Sequence, residues 1–267
     1  MNIIEETKYI MNKYNVHPNK KLGQNFLIDP NSLEKIAQEV NKNDTVIEIG
    51  PGLGTLTKIL AEKANKVKCI EQNKKMVEIL KDRFKLYNNV EIINDDILEV
   101  NINKIATNAK IVANLPYYIT TSIITKLIKE EIKDITILIQ KEVAERICAE
   151  TGTKKAGAIT YFVKYYADAK IIGEVPKEAF IPSPEVTSSI VKITKKNEIK
   201  IKVRDEKLLF EIIRENFSKR RKTLINSLSS IIDKEKMKNI LRDLKIDENI
   251  RGEELTLQDY ANIVNKI

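Results

Sequence analysis

Glu48-Ile-Gly-Pro-Gly-Leu-Gly-Thr55 follows the apolar run from Thr45 to Ile49 and precedes an amphipathic stretch from Thr55 to Lys63. It reads as a strand, a tight turn and a helix. Gly50, Gly52 and Gly54 lack Cβ atoms, so the backbone there can turn sharply and come close to a ligand. Working outward, strand periods recur at 67–70, 90–93, 110–113, 134–140 and 189–193. Helical periods recur at 32–40, begun by Asp29-Pro30-Asn31, and at 74–84, 121–129 and 141–150. This alternation predicts an α/β fold with a mostly parallel, doubly wound sheet of the Rossmann-like kind. A Pro- and Phe-rich segment, Glu174 to Val186, leads into the last strand, and beyond Pro184, the final proline, the sequence is helical and highly charged. A boundary near Lys195 is expected, dividing a domain of residues 1–195 from a small all-helical domain of residues 196–267.

The 267 residues suffice for a full core. No run approaches the length of a membrane span, and Glu5 and Glu6 stand where a signal peptide would turn apolar, so a cytoplasmic location is expected. Cys69 lies in a strand pattern and Cys148 in a helical one, which suits free thiols in a reducing compartment. One histidine and two isolated cysteines exclude a zinc site and a Ser-His-Asp triad, and no metal is expected. Lys plus Arg number 46 against 38 Asp plus Glu, a net charge of +8 that favours polyanionic partners such as nucleic acid.

The glycine spacing bears on the ligand. A dinucleotide fingerprint would place its third glycine at position 55, where this chain has Thr55, which disfavours NAD. S-adenosylmethionine has no pyrophosphate; it needs backbone room beside its amino-acid arm and a carboxylate for its ribose hydroxyls. Glu71 ends the next strand and is placed to accept both hydroxyls. One strand further, Asp96 is expected to accept from the adenine amino group, with Asp95 as the competing candidate, and Ile97 offers a flat apolar contact. A lone glycine turn can be a plain strand-to-helix link, but three such features on successive strand ends match the ligand crevice of open α/β sheets.

A second motif, Asn114-Leu-Pro-Tyr117, ends another strand. The exocyclic amine of adenine is a poor nucleophile because its lone pair is delocalised into the ring. Acceptors for its two N–H groups favour a pyramidal nitrogen with the lone pair aimed at a methyl donor. The Asn114 side-chain oxygen and the Leu115 carbonyl can be those acceptors, Pro116 stiffens the turn, and Tyr117 can stack on the base. Phe180 either closes the other face of the base or packs in the core. In Phe217 to Leu228, read as one helix, Phe217, Leu224 and Leu228 form an apolar stripe and Lys219 and Lys222 point away from it towards RNA. Arg220 and Arg221 flank the stripe and either join that surface or form internal salt bridges.

With these residues in place, the chain from Lys20 to Leu228 closely resembles the ribosomal RNA adenine dimethyltransferase family, in its small-subunit branch. The resemblance implies a Rossmann-like class I methyltransferase domain followed by a helical domain. Lys21-Leu-Gly-Gln-Asn-Phe-Leu27 looks like the family's N-terminal cofactor motif, which implies that Asn25 and Leu27 reach over S-adenosylmethionine; Asn114 is implied at the cofactor as well as at the target base. The implied reaction dimethylates N6 of two adjacent adenines in a hairpin loop near the 3′ end of 16S rRNA. The implied substrate is a late assembling 30S particle; the sequence does not reveal the oligomeric state, and a monomer is expected. The macrolide-resistance branch, acting on 23S rRNA, is the nearer alternative; Leu115, where that branch commonly has Ile, and the Phe217 to Leu228 stretch lean away from it. A non-catalytic RNA-binding assembly factor is the other, against which the intact Glu71, Asp96, Asn114 and Tyr117 argue.

Overall fold

The computed structural model describes residues 2–18 and 24–267. In chain order the elements are α1 (Ile3–Lys13), β1 (Phe26–Leu27), α2 (Pro30–Ile36), β2 (Thr45–Ile49), α3 (Thr55–Lys63), β3 (Lys66–Glu71), α4 (Lys74–Arg83) and β4 (Val90–Asn94). There follow α5 (Ile102–Ile105), β5 (Ala109–Asn114), α6 (Thr120–Lys129), β6 (Ile132–Gln140), α7 (Lys141–Ile147), α8 (Ala158–Tyr166), β7 (Ala167–Val175), β8 (Phe180–Ile181) and β9 (Ser188–Lys195). The chain ends in α9 (Glu206–Ser218), α10 (Leu224–Ser227), α11 (Lys234–Asp243) and α12 (Leu257–Lys266).

Among the described residues, seven strands form one sheet in the order β4-β3-β2-β5-β6-β9-β7. β2 pairs in parallel with β3 on one side and β5 on the other, and β9 is antiparallel to β6. The sequence order therefore diverges at β2 and β5, and a crevice at the carboxyl ends of those strands is where such sheets hold ligands. Central strands of a parallel sheet are covered on both faces, which explains why Val46, Ile47, Glu48 and Ile49 are all buried. Leu33, Leu56, Leu60 and Val112 lie in the same core. Phe26 and Leu27 pair with Ile181 and Phe180 in a separate two-stranded ribbon.

Two compact units arise, and they are not the two consecutive blocks expected from the sequence. The first comprises Met1–Ala144 with Lys170–Lys195, and the second Glu145–Ala169 with Lys196–Ile267. The expected division at 195/196 is thus only one of the places where the chain passes between units. The cause is α8: Tyr161 and Tyr165 are buried in the core formed by Leu209, Ile212, Leu224 and Tyr260, and the Tyr161 hydroxyl donates to the Leu255 carbonyl at 2.6 Å. Among the described residues, no helix is long and apolar enough to cross a membrane.

Candidate active site

The glycine turn is built by its own backbone. Gly50 N–H donates to the Ile70 carbonyl (3.0 Å) and Gly54 N–H to the Pro51 carbonyl (2.8 Å). All three glycines have positive φ. A Cβ on Gly52 would lie 3.2 Å from the Phe26 ring, and one on Gly54 would lie 2.6 Å from Phe84 Cε2, so the turn fits only because both atoms are missing. Gly54 thereby lets α3 start against α4, and it does not reach the cavity itself.

Beside this turn is a cavity of about 350 Å³, within the size range of small-ligand sites. Its wall includes Asn25, Leu27, Gly50, Gly52, Glu71, Asp96, Ile97, Asn114 and Pro116, residues that five separated stretches of the sequence contribute. Its charge is one-sided: Glu48, Glu71, Asp95 and Asp96 line it, and no Lys, Arg or His does so among the described residues. In a chain of net charge +8 this is a local inversion. Such a wall repels a pyrophosphate and suits a ligand that carries positive charge.

Glu71 is half-buried, and its carboxylate accepts from Asn73 N–H at 2.9 Å and Gly52 N–H at 3.3 Å. Burial raises its pKa, and the backbone donors partly oppose that. A carboxylate offers about four lone-pair directions, so these donors leave it capacity to accept from a ligand hydroxyl. Asp96 accepts from Gln72 Nε2 at 2.9 Å and Leu98 N–H at 2.8 Å. These bonds fix it beside Ile97, which is buried and lines the cavity. Glu48 is 2 % exposed; burial pushes its pKa up to about 7, while Thr57 Oγ1, donating at 2.6 Å, works in the opposite sense.

Asn114 ends β5 with its amide nitrogen donating to the Asn25 carbonyl at 3.1 Å. A carbonyl only accepts, so the NH2 must face it, and the Asn114 oxygen is left for another donor. Leu115 is buried with its N–H on the Leu138 carbonyl (3.1 Å), and the Pro116 carbonyl receives the Thr120 hydroxyl at 3.0 Å. The Asn-Leu-Pro turn is held from both sides.

A sequence model described as ribosomal RNA adenine dimethylase matches residues 15–267. The chain belongs to that family. It is 48% identical over 265 residues to the ribosomal RNA small subunit methyltransferase A of Clostridium botulinum (strain Okra / Type B1), covering 96% of each chain. It is 42% identical to the protein of that name in Alkaliphilus oremlandii (strain OhILAs), covering 98% of this chain and 96% of the relative. Among solved structures, a dimethyladenosine transferase from Plasmodium falciparum superposes with a TM-score of 0.74 at 28% identity, over 89% of this chain and 95% of that one. The fold is accordingly the class I methyltransferase fold of this family, with its mostly parallel sheet and C-terminal helices.

The other predicted site residues differ in their surroundings. Tyr117 is half-buried, its hydroxyl 2.7 Å from Ser188 Oγ, and it does not line the cavity; the neighbouring Tyr118 does, and is 60% exposed. Phe180 is 3% exposed, paired with Leu27 across the β1–β8 ribbon and packed in the core, so its ring supports β1 and leaves the cavity wall to others. Of the motif Lys21 to Leu27, residues 21–23 lie outside the described residues; Asn25 and Leu27 line the cavity. The wall also holds residues to which the sequence assigns no role, among them Glu48 and Tyr118. The signal for Glu48 is a carboxylate flanked by Val46, Ile47 and Ile49 in one strand.

The segment Phe217 to Leu228 is not the continuous helix that its apolar spacing predicts. α9 ends at Ser218, residues 219–222 form a turn, and the short α10 begins at Leu224. The break is imposed by partners distant in sequence: Asn216 is buried between the Tyr260 and Ser227 hydroxyls, and Leu224 N–H donates to the Ile250 carbonyl. Lys219 pairs with Glu215 and donates to the Ser227 carbonyl, and Arg220 pairs with Glu253. Arg221 and Lys222 are exposed without a side-chain partner among the described residues.

Proposed function

We propose that the protein dimethylates N6 of two adjacent adenines in a hairpin loop near the 3′ end of small-subunit rRNA, using S-adenosylmethionine and acting on a late assembling small subunit in the cytoplasm. The observation that carries the reading is the cavity wall, where four carboxylates and, among the described residues, no cation meet the oriented amide of Asn114. S-adenosylmethionine supplies the methyl as a sulfonium, which needs no strong base. Glu71 holds the ribose hydroxyls, and Asp96 with Ile97 holds the adenine. Asn25 and Leu27 cover the ligand from the N-terminal side, and the Gly50 and Gly52 backbone leaves room for its amino-acid arm.

At the target base, the Asn114 oxygen and the Leu115 carbonyl accept the two amine hydrogens, and Pro116 keeps both acceptors rigid. Orientation and electrostatic preorganisation of this kind are enough when the methyl donor is already activated. Tyr117 offers its ring to an unstacked adenine. Arg221 and Lys222 contact RNA phosphates, whereas Lys219 and Arg220 are first occupied by Glu215 and Glu253. The small-subunit substrate is supported by relatives of nearly equal length named for it.

The reading is tested by incubating the protein with labelled S-adenosylmethionine and small or large subunits from an unmethylated strain, then mapping the label. Label on two neighbouring adenines of the small-subunit rRNA is the expected result; label confined to large-subunit rRNA, or none, overturns it. Asn114→Ala is expected to bind cofactor and subunits nearly as the wild type does, yet to slow single-turnover methylation by on the order of a hundredfold or more. A wild-type rate in that variant removes Asn114 from the mechanism.

A further inference from the structure

We infer that the loop before α8 and the turn after α9 form one preorganised platform for RNA phosphates, with Lys154 and Lys155 acting beside Arg221 and Lys222. The inference rests on the reading of the protein as an enzyme of structured rRNA. Its observation is independent of the cofactor cavity: two segments far apart in sequence are strapped together, and each presents neighbouring free cations.

The strap is Arg220. Its Nε and Nη2 donate to Glu253 at 3.0 and 2.7 Å, and Nη2 also donates to the Lys154 carbonyl at 2.8 Å. Its guanidinium lies 5.5 Å from the centre of the Phe217 ring, which in turn packs on Tyr161. A guanidinium satisfied in this way is a strut, and it carries the 219–222 turn to within one side chain's reach of the 152–156 loop. The loop has further fixings. Gly152 N–H donates to the Tyr161 hydroxyl at 3.1 Å, Leu257 N–H reaches Thr151 Oγ1 at 3.4 Å, and Ala156 is fully buried. Gly152 has φ +80, a conformation that favours glycine, and a Cβ there would lie a tight 3.2 Å from the Glu254 carbonyl oxygen.

Three of the nearby acids are neutralised by cations of the same unit, and Asp259 accepts only from Thr256 among the described residues. Glu253 is paired with Arg220, Glu215 with Lys219 and Glu150 with Lys164, while Glu254 accepts from the backbone N–H of Arg251. Lys154, Lys155, Arg221 and Lys222 are all exposed, and none has a side-chain partner among the described residues. Four uncompensated cations on a fixed backbone are costly to hold together unless an anion answers them. A polyphosphate backbone does so by releasing its own counterions, and the rigid backbone reduces the ordering cost of binding.

The test measures binding of the full chain to small subunits from an unmethylated strain across a salt series. Lys154→Ala/Lys155→Ala is expected to flatten the slope of log K against log salt by about one and a half, the value for two lost phosphate contacts. Lys200→Ala/Lys202→Ala removes the same charge from exposed positions of the same unit and is expected to leave the slope near that of the wild type. An unchanged slope in the first variant, or an equal fall in both, overturns the platform, the latter reducing the effect to net charge. If the wild type itself neither methylates the subunit nor binds it in a salt-dependent way, the functional reading fails, and the platform falls with it. Circular dichroism of both variants checks that the fold is retained.

Discussion

Glu48 gives the sharpest physical test of the site. It sits in the middle of the sheet with a pKa raised from 4.5 to about 7, and the chief cause is burial. The Thr57 hydroxyl and the Cys69 thiol donate to the same oxygen. Nearby, the charge of Glu71 raises the pKa further and that of Arg83 lowers it. Between those two values the folded protein holds a proton that the unfolded chain has released. The contribution is therefore fully present below pH 4.5 and is lost as pH rises to 7. At 1.36 kcal/mol per pKa unit, the loss amounts to about 3 kcal/mol.

Glu48→Gln keeps the shape and an acceptor for Thr57 but cannot ionise. Relative to the wild type it should gain stability from pH 5 to pH 8, by up to about 3 kcal/mol, in urea unfolding followed by circular dichroism. A 13C-labelled glutamate carboxyl titrating near pH 7 in the wild type, and missing in the variant, would identify the group directly. Because a cationic ligand favours the ionised carboxylate, cofactor affinity of the wild type should also rise through pH 7 relative to the variant. Parallel stability curves over this pH range would refute the reasoning, since they would mean that Glu48 ionises as readily in the folded protein as outside it.

Glu71→Ala should weaken S-adenosylmethionine binding in calorimetry by roughly 1 to 3 kcal/mol, and lower the melting temperature as well, because Gly52 and Asn73 lose their acceptor. Unchanged affinity in a folded variant would remove Glu71 from the site. Gly54→Ala should destabilise the protein by at least about 1 kcal/mol through its positive φ alone, with more from the 2.6 Å approach to Phe84; a melting temperature equal to that of the wild type would contradict the tight packing of α3 against α4.

Much of the first unit was legible because its strands are parallel and buried, so each appears as a short apolar run between turn residues. β2, α3 and α4 fall where their spacing predicts, within a residue at either end. The misses have physical causes. α8, Ala158-Ile-Thr-Tyr-Phe-Val-Lys-Tyr-Tyr166, is apolar along most of its length, which does not show the unit it packs in, and its burial in the second unit depends on helices that come much later in the chain. The basic segment carries a good helical stripe and no breaker, so only the buried Asn216, with partners 11 and 44 residues away, reveals that the helix stops.

At the site, residue types could be read and their contacts could not. That Asn114 offers an oxygen follows from the carbonyl of Asn25, 89 residues away, which occupies its amide nitrogen. That Arg220 is a strut follows from Glu253 and the Lys154 carbonyl. The sequence's surplus of cations favours a polyanion, yet it conceals the opposite sign within the cavity. Charge of one sign there and of the other on the exposed helical unit is what the two ligands require of a single chain: a cationic methyl donor must be held among carboxylates, and an RNA must be held by cations that those carboxylates do not neutralise. Screening by salt weakens exposed contacts far more than buried ones, so raising ionic strength should release the RNA while leaving the cofactor bound.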